Sequence, residues 1–206
     1  SGEVVGIVEE KEADSSQRAI REVNGGVYCF RAGWLWPRLR QLTQRSSGEF
    51  YLTDLVGLAA ARLRRERVEG VLVENADEVL GINNRIHLAR AEMVMQQRTR
   101  ERLMLEGVTL LDPPSIFIDA TVRVGADTVL LPNTILSGAT VIGEECEIGP
   151  GSIIRDSRIG RRCRIVASAV EGATLKDEVE VGPFSHIRAG SYLASGVHVG
   201  NFGEVK

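Results

Sequence analysis

IDATVRVGADTVLLPNTILSGATVIGEECEIGPGSIIRDSRIGRRCRIVASAVEGATLKDEVEVGPFSHIRAGSYLASGVHVGNFGEVK (118–206) decides the fold. An aliphatic residue returns at Ile118, Val124, Leu130, Leu136, Ile142, Ile148, Ile154, Ile159, Ile165, Val170, Leu175, Val181, Ile187, Leu193, Val199 and Val205. The step is six residues, shortened to five at three places. Neither a 3.6-residue helix nor a two-residue strand period produces such a run. Small or turn-forming residues follow many of the aliphatics (Gly125, Ser137, Gly143, Gly149, Gly160, Gly182, Gly200). Small or hydroxyl-bearing residues are expected four places after them, at Thr128, Thr134, Thr140, Ser152, Ala169, Thr174, Ser185 and Ser191. Each hexad then reads as a short strand plus a corner. Three hexads make one triangular coil, about five coils make the stretch, and the aliphatics stack inside as one apolar column. The fold class this predicts is a left-handed parallel β-helix.

Every third hexad returns to the same face, so side chains fall into columns. One column, just after the inner aliphatics, runs Asp119, Ser137, Arg155, Glu171, Arg188, Lys206. It places two cations about 4.8 Å apart, one coil above the other. Like charges stacked this way destabilise each other. The pair is either screened by a neighbour such as Glu204 or neutralised by a bound anion such as phosphate, for which Arg offers a fork and Lys a point charge. Cys146 and Cys163 likewise stack, and read as small buried packing residues. His186 and His198 lie near the basic pair, but no orienting carboxylate is evident for either, and both read as structural.

Working outward, residues 82–106 contain no Gly or Pro and stop at Gly107, which predicts one long helix, strongly charged and with one wet face, linking two domains. His87 within it reads as a surface residue. VTLLDPPSIFID leads into the coil, its Asp-Pro-Pro turn opposing a helix. Upstream, EVVGIVEEK (3–11), EVNGGVYCF (22–30) and VEGVLVE (68–74) read as strands. GWLWPRLRQLTQR (33–45) reads as a short helix with Leu35, Leu39 and Leu42 on one side. A second helix, capped by Thr53 or Asp54, carries Leu55, Leu58, Ala59 and Leu63 on one face. Alternating strands and helices indicate an α/β layer structure, here an incomplete one. Glu9 and Glu10 end the first strand, either as a solvated end or as carboxylates that receive a polar ligand at a sheet edge. Asn24 before Gly25-Gly26 is either a turn residue or a ligand contact.

The chain has 206 residues, 43% apolar and 26% charged, with a net charge of −3. That charge gives no field to recruit nucleic acid or an anionic membrane, and no apolar run is long enough to span a bilayer. SGEVVGIVEEKEADSS does not resemble a secretory leader, so a cytoplasmic location is expected. Cys29, Cys146 and Cys163 are odd in number and lack metal-site spacing.

GIVEEK (6–11), EVNGG (22–26), GEFYLTD (48–54), GINNR (81–85), a long helix and then hexads ending in GPFSHIRAGSYLASGVHVGNFGEVK (182–206) occur in that order. Together they resemble the bacterial bifunctional N-acetylglucosamine-1-phosphate uridylyltransferase/glucosamine-1-phosphate acetyltransferase family. The resemblance implies a mixed architecture: a partial α/β, Rossmann-like nucleotidyltransferase segment over 1–85, a linker helix over 86–107, and the first coils of the acetyltransferase β-helix over 108–206. It implies a cytoplasmic homotrimer that makes UDP-N-acetylglucosamine for the cell envelope. Its substrates would be glucosamine-1-phosphate with acetyl-CoA, then N-acetylglucosamine-1-phosphate with UTP and Mg2+. Matched residue by residue, Glu9 and Asn24 would contact the nucleotide sugar, Tyr51 and Thr53 would line its pocket, and Asn83 would touch it and ligate Mg2+. Arg188 and Lys206 would hold the sugar phosphate of the acetyltransferase site.

Members of that family are about twice as long. Their Gly-rich phosphate loop, the aspartate that accompanies Asn83, the catalytic histidine and the acetyl-CoA-binding coils have no counterpart in 1–206, and Ala189 stands where Pro is common. The chain is therefore expected to be a central fragment, without catalytic residues or turnover of its own. The uncapped apolar column at Val205-Lys206 points the same way. Two other readings stay open: a trimerising β-helix scaffold, and a different sugar-1-phosphate nucleotidyltransferase with a β-helix tail.

Overall fold

The computed structural model describes residues 4–45, 48–61 and 68–206; residue 3 of the first expected strand and Leu63 of the second helix lie outside them. The described residues form two compact units, one within 1–81 and one within 82–206.

In the first unit, helix α1 (Ala32–Leu39) is followed by α2 (Asp54–Ala60), with single 3-10 turns at Gln17–Ala19 and Ala76–Val79. The helix expected over 33–45 runs from Ala32 to Leu39 and holds Pro37 in its interior. Thr53 takes the N-cap position of α2 but makes no capping bond with its side chain; Asp54 instead pairs with Arg45 at 2.6 Å. Leu55, Val56, Ala59 and Ala60 are the buried side of α2.

The strands expected at 3–11, 22–30 and 68–74 are corrected by the structure: among the described residues of this unit no strand forms. A strand exists only in a ladder with a neighbour, and these segments have none. Their apolar side chains accordingly bury no face. Val5, Val23, Val27, Val71 and Leu72 remain 75–86% exposed.

The second unit opens with α3 (Arg85–Leu105), three residues inside the expected start. Asn84 caps it by accepting the His87 N–H at 2.9 Å, and Gly107, at φ +94°, turns the chain away at the other end. Beyond it rises a three-faced parallel β-helix. The first face stacks Thr109–Leu110, Val129–Leu130, Glu147–Ile148, Arg164–Ile165, Glu180–Val181 and His198–Val199. The second stacks Phe117–Ile118, Ile135–Ser137, Ile153–Arg155, Ala169–Glu171, His186–Ile187 and Glu204–Val205. The third stacks Arg123–Val124, Val141–Ile142, Arg158–Ile159, Thr174–Leu175 and Tyr192–Leu193.

Fourteen of the sixteen periodic aliphatics, Ile118 through Leu193, are at most 8% exposed and share one core, against which Val199 and Val205 are partly buried. The expected hydroxyl positions are right for Thr128, Thr134, Thr140, Ser152, Ser185 and Ser191, all buried. Ala169 and Thr174 are corrected: both begin strands on the outer surface, and the buried small residues are Ser157, Ser168 and Ala173. Where a step shrinks to five, the deleted residue comes from the corner, so the small residue keeps its distance of two from the next aliphatic.

These inner hydroxyls join one coil to the next. Ser168 Oγ donates to Gly182 O at 2.7 Å and accepts the Ser185 N–H at 3.1 Å; Ser185 Oγ donates to Gly200 O at 2.7 Å and accepts the Gly203 N–H at 3.0 Å. Cys146 and Cys163 continue the column of Thr128: the Cys163 N–H meets Cys146 Sγ at 3.4 Å, and both thiols are buried. Hydrogen bonding with Cys146, then burial, pushes the Cys163 thiol up, which keeps it protonated. At the corner after the third face, a Cβ on Gly143 would come within 2.5 Å of Gly160 O, so the coil spacing itself excludes a side chain there.

Helix α3, read as wet on one face, is also the lid of the prism. Leu103 is fully buried in the coil's core. Gln96 behaves as a substitute strand: its amide donates to Ile118 O at 3.1 Å and accepts the Ile118 N–H at 3.0 Å. Arg100 donates to Pro113 O at 2.7 Å. The backbone edge of the first coil on the second face is thereby satisfied.

Candidate functional site

The second face brings the two expected cations together. Ser137 pairs with Arg155 and Arg155 with Glu171, and the in-register pairs His186↔Glu204 and Ile187↔Val205 put Arg188 and Lys206 next in the same column. Glu204, on the neighbouring column, touches both: its Oε1 lies 2.9 Å from Arg188 and 3.7 Å from Lys206. All three side chains are roughly half exposed or more, so the cluster is open to solvent. The contacts of Glu204 with both cations are those of the screening arrangement, one of the two open from sequence.

Both histidines have carboxylate partners, contrary to expectation. His198 Nδ1 is 3.2 Å from Glu180, its in-register neighbour one coil back. His186 Nε2 is 3.1 Å from Glu171. The in-register neighbour of His186 is Ala169, and its ring reaches two residues along the strand to Glu171. The same column arithmetic that placed Lys206 over Arg188 would have found these partners. His186 thereby engages Glu171, and Glu204 remains as the carboxylate on the two cations. The site is thus a run of carboxylates and basic groups, Glu171, His186, Arg188, Glu204 and Lys206, across three successive coils.

The residues expected to hold a nucleotide sugar are engaged locally. Glu9 is half-buried at the head of a turn, its carbonyl accepting the Glu12 N–H at 2.9 Å. Asn24 is exposed, donates to Tyr28 Oη at 2.6 Å and accepts the Gly26 N–H at 3.0 Å, which is its turn role. Tyr51 lies under the Arg45 guanidinium, 5.4 Å from ring centre. Asn83 belongs to the second unit, exposed just ahead of α3, where its N–H approaches His87 Nδ1 at 3.4 Å. Mg2+ needs an octahedron of oxygens anchored by carboxylates. Asn83 supplies one neutral oxygen, and among the described residues no cluster of three or more His, Cys, Asp or Glu could hold a metal ion. The residues present do not by themselves fit the ion.

No helix among the described residues is long and apolar enough to cross a membrane. The family described as bacterial transferase hexapeptide (six repeats) matches residues 121–156. That stretch lies within the coil, whose six-residue period is the repeat the family describes.

Full-length sequence comparison is more specific. The bifunctional protein GlmU of Heliobacterium modesticaldum is 47% identical over 207 positions, which cover 100% of this chain and 45% of that protein. GlmU of Fervidobacterium nodosum is 45% identical, covering 92% of this chain and 41% of its own length. Over its whole length the chain is a homologue of part of bifunctional protein GlmU, and it spans about half the length of these relatives. Among solved structures, the acetyltransferase domain of PglB from Neisseria gonorrhoeae aligns at 20% identity over 62% of this chain and 70% of that one, with a TM-score of 0.30, too distant to bear on the site.

Proposed function

We propose that the chain is a segment of a bifunctional transferase that makes UDP-N-acetylglucosamine, and that its β-helix, read as left-handed from the six-residue period, holds the sugar phosphate of the acetyl-transfer half-reaction. The observation that carries this is the stacking of Arg188 and Lys206 at strand spacing on the second face, in a chain similar to GlmU from end to end. Two cations that repel each other when alone are stabilised by a dianion between them. Their part would be to bind and orient glucosamine-1-phosphate, with a general base deprotonating its amine for attack on the acetyl-CoA thioester. That base and the acetyl-CoA contacts fall to residues outside 1–206. In the same reading residues 1–85 belong to the uridylyl-transfer half, where Glu9, Asn24 and Asn83 would contact the nucleotide sugar formed from UTP, and 86–107 is the linker between the halves.

The test is binding and turnover on the same 206 residues. Calorimetry should show glucosamine-1-phosphate binding that Arg188→Ala and Lys206→Ala each weaken by about tenfold, the worth of a charge-assisted contact. Neither acetyl transfer from acetyl-CoA nor uridylyl transfer from UTP should be detectable. Binding indifferent to both substitutions would overturn the phosphate reading, and robust turnover would overturn the segment reading.

A second reading, assembly through the β-helix, rests on Phe117, Ile135 and Ile153. These three are successive in-register residues on the outside of the second face and are 44%, 39% and 41% exposed. A flat apolar stripe of this kind suits packing about a threefold axis, as a homotrimer would need. Sedimentation of the chain at micromolar concentration should show the trimer, and Ile135→Lys should dissociate it; a monomeric native chain would rule the assembly out.

A further inference from the structure

Arg188 and Lys206 are neutralised by the chain itself. Glu204 Oε1 lies 2.9 Å from the Arg188 guanidinium and 3.7 Å from the Lys206 ammonium, so a single carboxylate oxygen stands where an anion bridging the two would sit. The register makes this arrangement possible. Glu204 lies directly over His186 and two residues from Lys206 along its strand, so its side chain has both cations within reach. Glu171, the other carboxylate nearby, is engaged with His186 at 3.1 Å.

We propose that Glu204 is a resident counter-ion of the anion site, which a phosphate monoester must displace in order to bind, and that it thereby sets the affinity of the site. A carboxylate carries one charge and reaches the pair with one oxygen. A phosphate dianion carries two charges and can offer separate oxygens to Arg188 and Lys206. Displacement therefore favours dianions and rejects carboxylates and other monoanions, which gain nothing over the group already present. The released Glu204 carboxylate has solvent on its outer side and His186 beneath it. This inference rests on the phosphate reading of Arg188 and Lys206 given above.

The test uses inorganic phosphate and the whole 206-residue chain, with binding followed by calorimetry and by the Arg188 side-chain NH resonances. Glu204→Gln keeps the shape and removes the charge. It should tighten phosphate binding by about fivefold at low salt, the effect of deleting one half-exposed charge some 3–4 Å from the bound anion, and the gain should shrink as salt is raised. It should also let acetate compete, whereas acetate should not compete in the native chain. Glu204→Asp, which shortens the reach by one methylene, should fall between the two. An unchanged melting temperature shows that each variant is folded.

If Glu204→Gln binds phosphate no better than the native chain, while Arg188→Ala and Lys206→Ala still weaken binding, the counter-ion role is wrong and the phosphate site stands. If phosphate binding is indifferent to Arg188→Ala and Lys206→Ala, the site itself is wrong and the counter-ion role falls with it.

Discussion

Residues 4–81 and 82–206 contain segments that look alike in sequence and behave differently. VEGVLVE in the first unit and SIFID in the second are both short and apolar. In the second unit Phe117 and Ile118 find Ile135 and Leu136 in register one coil later, and the inner residue is fully buried. In the first, Val71 and Leu72 are 86% and 77% exposed, in a unit whose described residues include no strand. A strand is a relation between two segments, so β-forming composition yields a strand only where a partner is supplied. The hexad repeat supplies one every three hexads, at a cost in loop closure that is small and the same for each coil.

The contrast can be broken or sharpened by experiment, and the largest effect concerns the thiols. Cys29 is exposed in the first unit, whereas Cys146 and Cys163 are buried in the second. A thiol reagent should modify Cys29 within the mixing time and the other two only through opening of the coil. For a unit stable by about 5 kcal/mol, that opening slows labelling more than about a thousandfold. One fast thiol in native protein and three in denaturant is the expected count; three fast thiols in native protein would mean that the coil does not exclude solvent.

Truncation of apolar side chains should divide along the same line. Ile154 is fully buried in mid-coil, and Ile154→Ala should cost about 4 kcal/mol in chemical denaturation of the coil. Val27 is 86% exposed, and Val27→Ala should change stability by less than about 0.5 kcal/mol. Comparable losses at the two sites would show that the first unit has a core of its own.

Gln96 comes next. Gln96→Leu keeps the volume and removes both reciprocal bonds to Ile118, leaving a buried N–H and a buried carbonyl without partners. The expected loss is about 3 kcal/mol. Gln96→Glu, which sets a carboxylate oxygen against Ile118 O and beside Glu92, should lose at least as much at neutral pH. A neutral Gln96→Leu would mean that another group closes the edge.

These effects also mark what the sequence reveals and what it conceals. The sixteen aliphatics, the cation column and the stacked thiols follow from counting alone, because a repeat makes every coil a measurement of its neighbours. Ala169 and Thr174 were misplaced because the count ran forward from one aliphatic when the structure keeps phase with the next. The strands expected before residue 81 failed because composition carries no information about partners. Gln96 was hidden for a related reason. On a strongly charged helix a glutamine that replaces a strand has the same periodicity as one that faces water. The family resemblance added roles for Glu9, Asn24 and Asn83 that no local pattern in this chain distinguishes from turn or surface residues.

The smallest effect tests how far the coil behaves as a row of similar rungs. Ser152 Oγ donates to Ile165 O at 3.1 Å and receives the Ser168 N–H at 3.5 Å, both in the buried interior. Ser185 Oγ makes the same pair of bonds at shorter distances, 2.7 Å to Gly200 O and 3.0 Å from Gly203 N, but in the outermost described coils, where Gly200 is exposed and Gly203 half-buried. On bond length alone Ser185→Ala should be the worse substitution. On burial the order reverses, because water can replace a partner lost at Gly200 and cannot reach Ile165 O. The reversed order is expected: about 2 kcal/mol for Ser152→Ala and about 1 kcal/mol or less for Ser185→Ala. The second loss should appear in hydrogen exchange of the coil at 197–206 before it appears in the melting temperature, since a solenoid frays from its ends. If Ser185→Ala were the costlier substitution globally, the last coils would be as cooperative as the middle ones, and the ladder would act as one continuous element instead of a series of independent rungs.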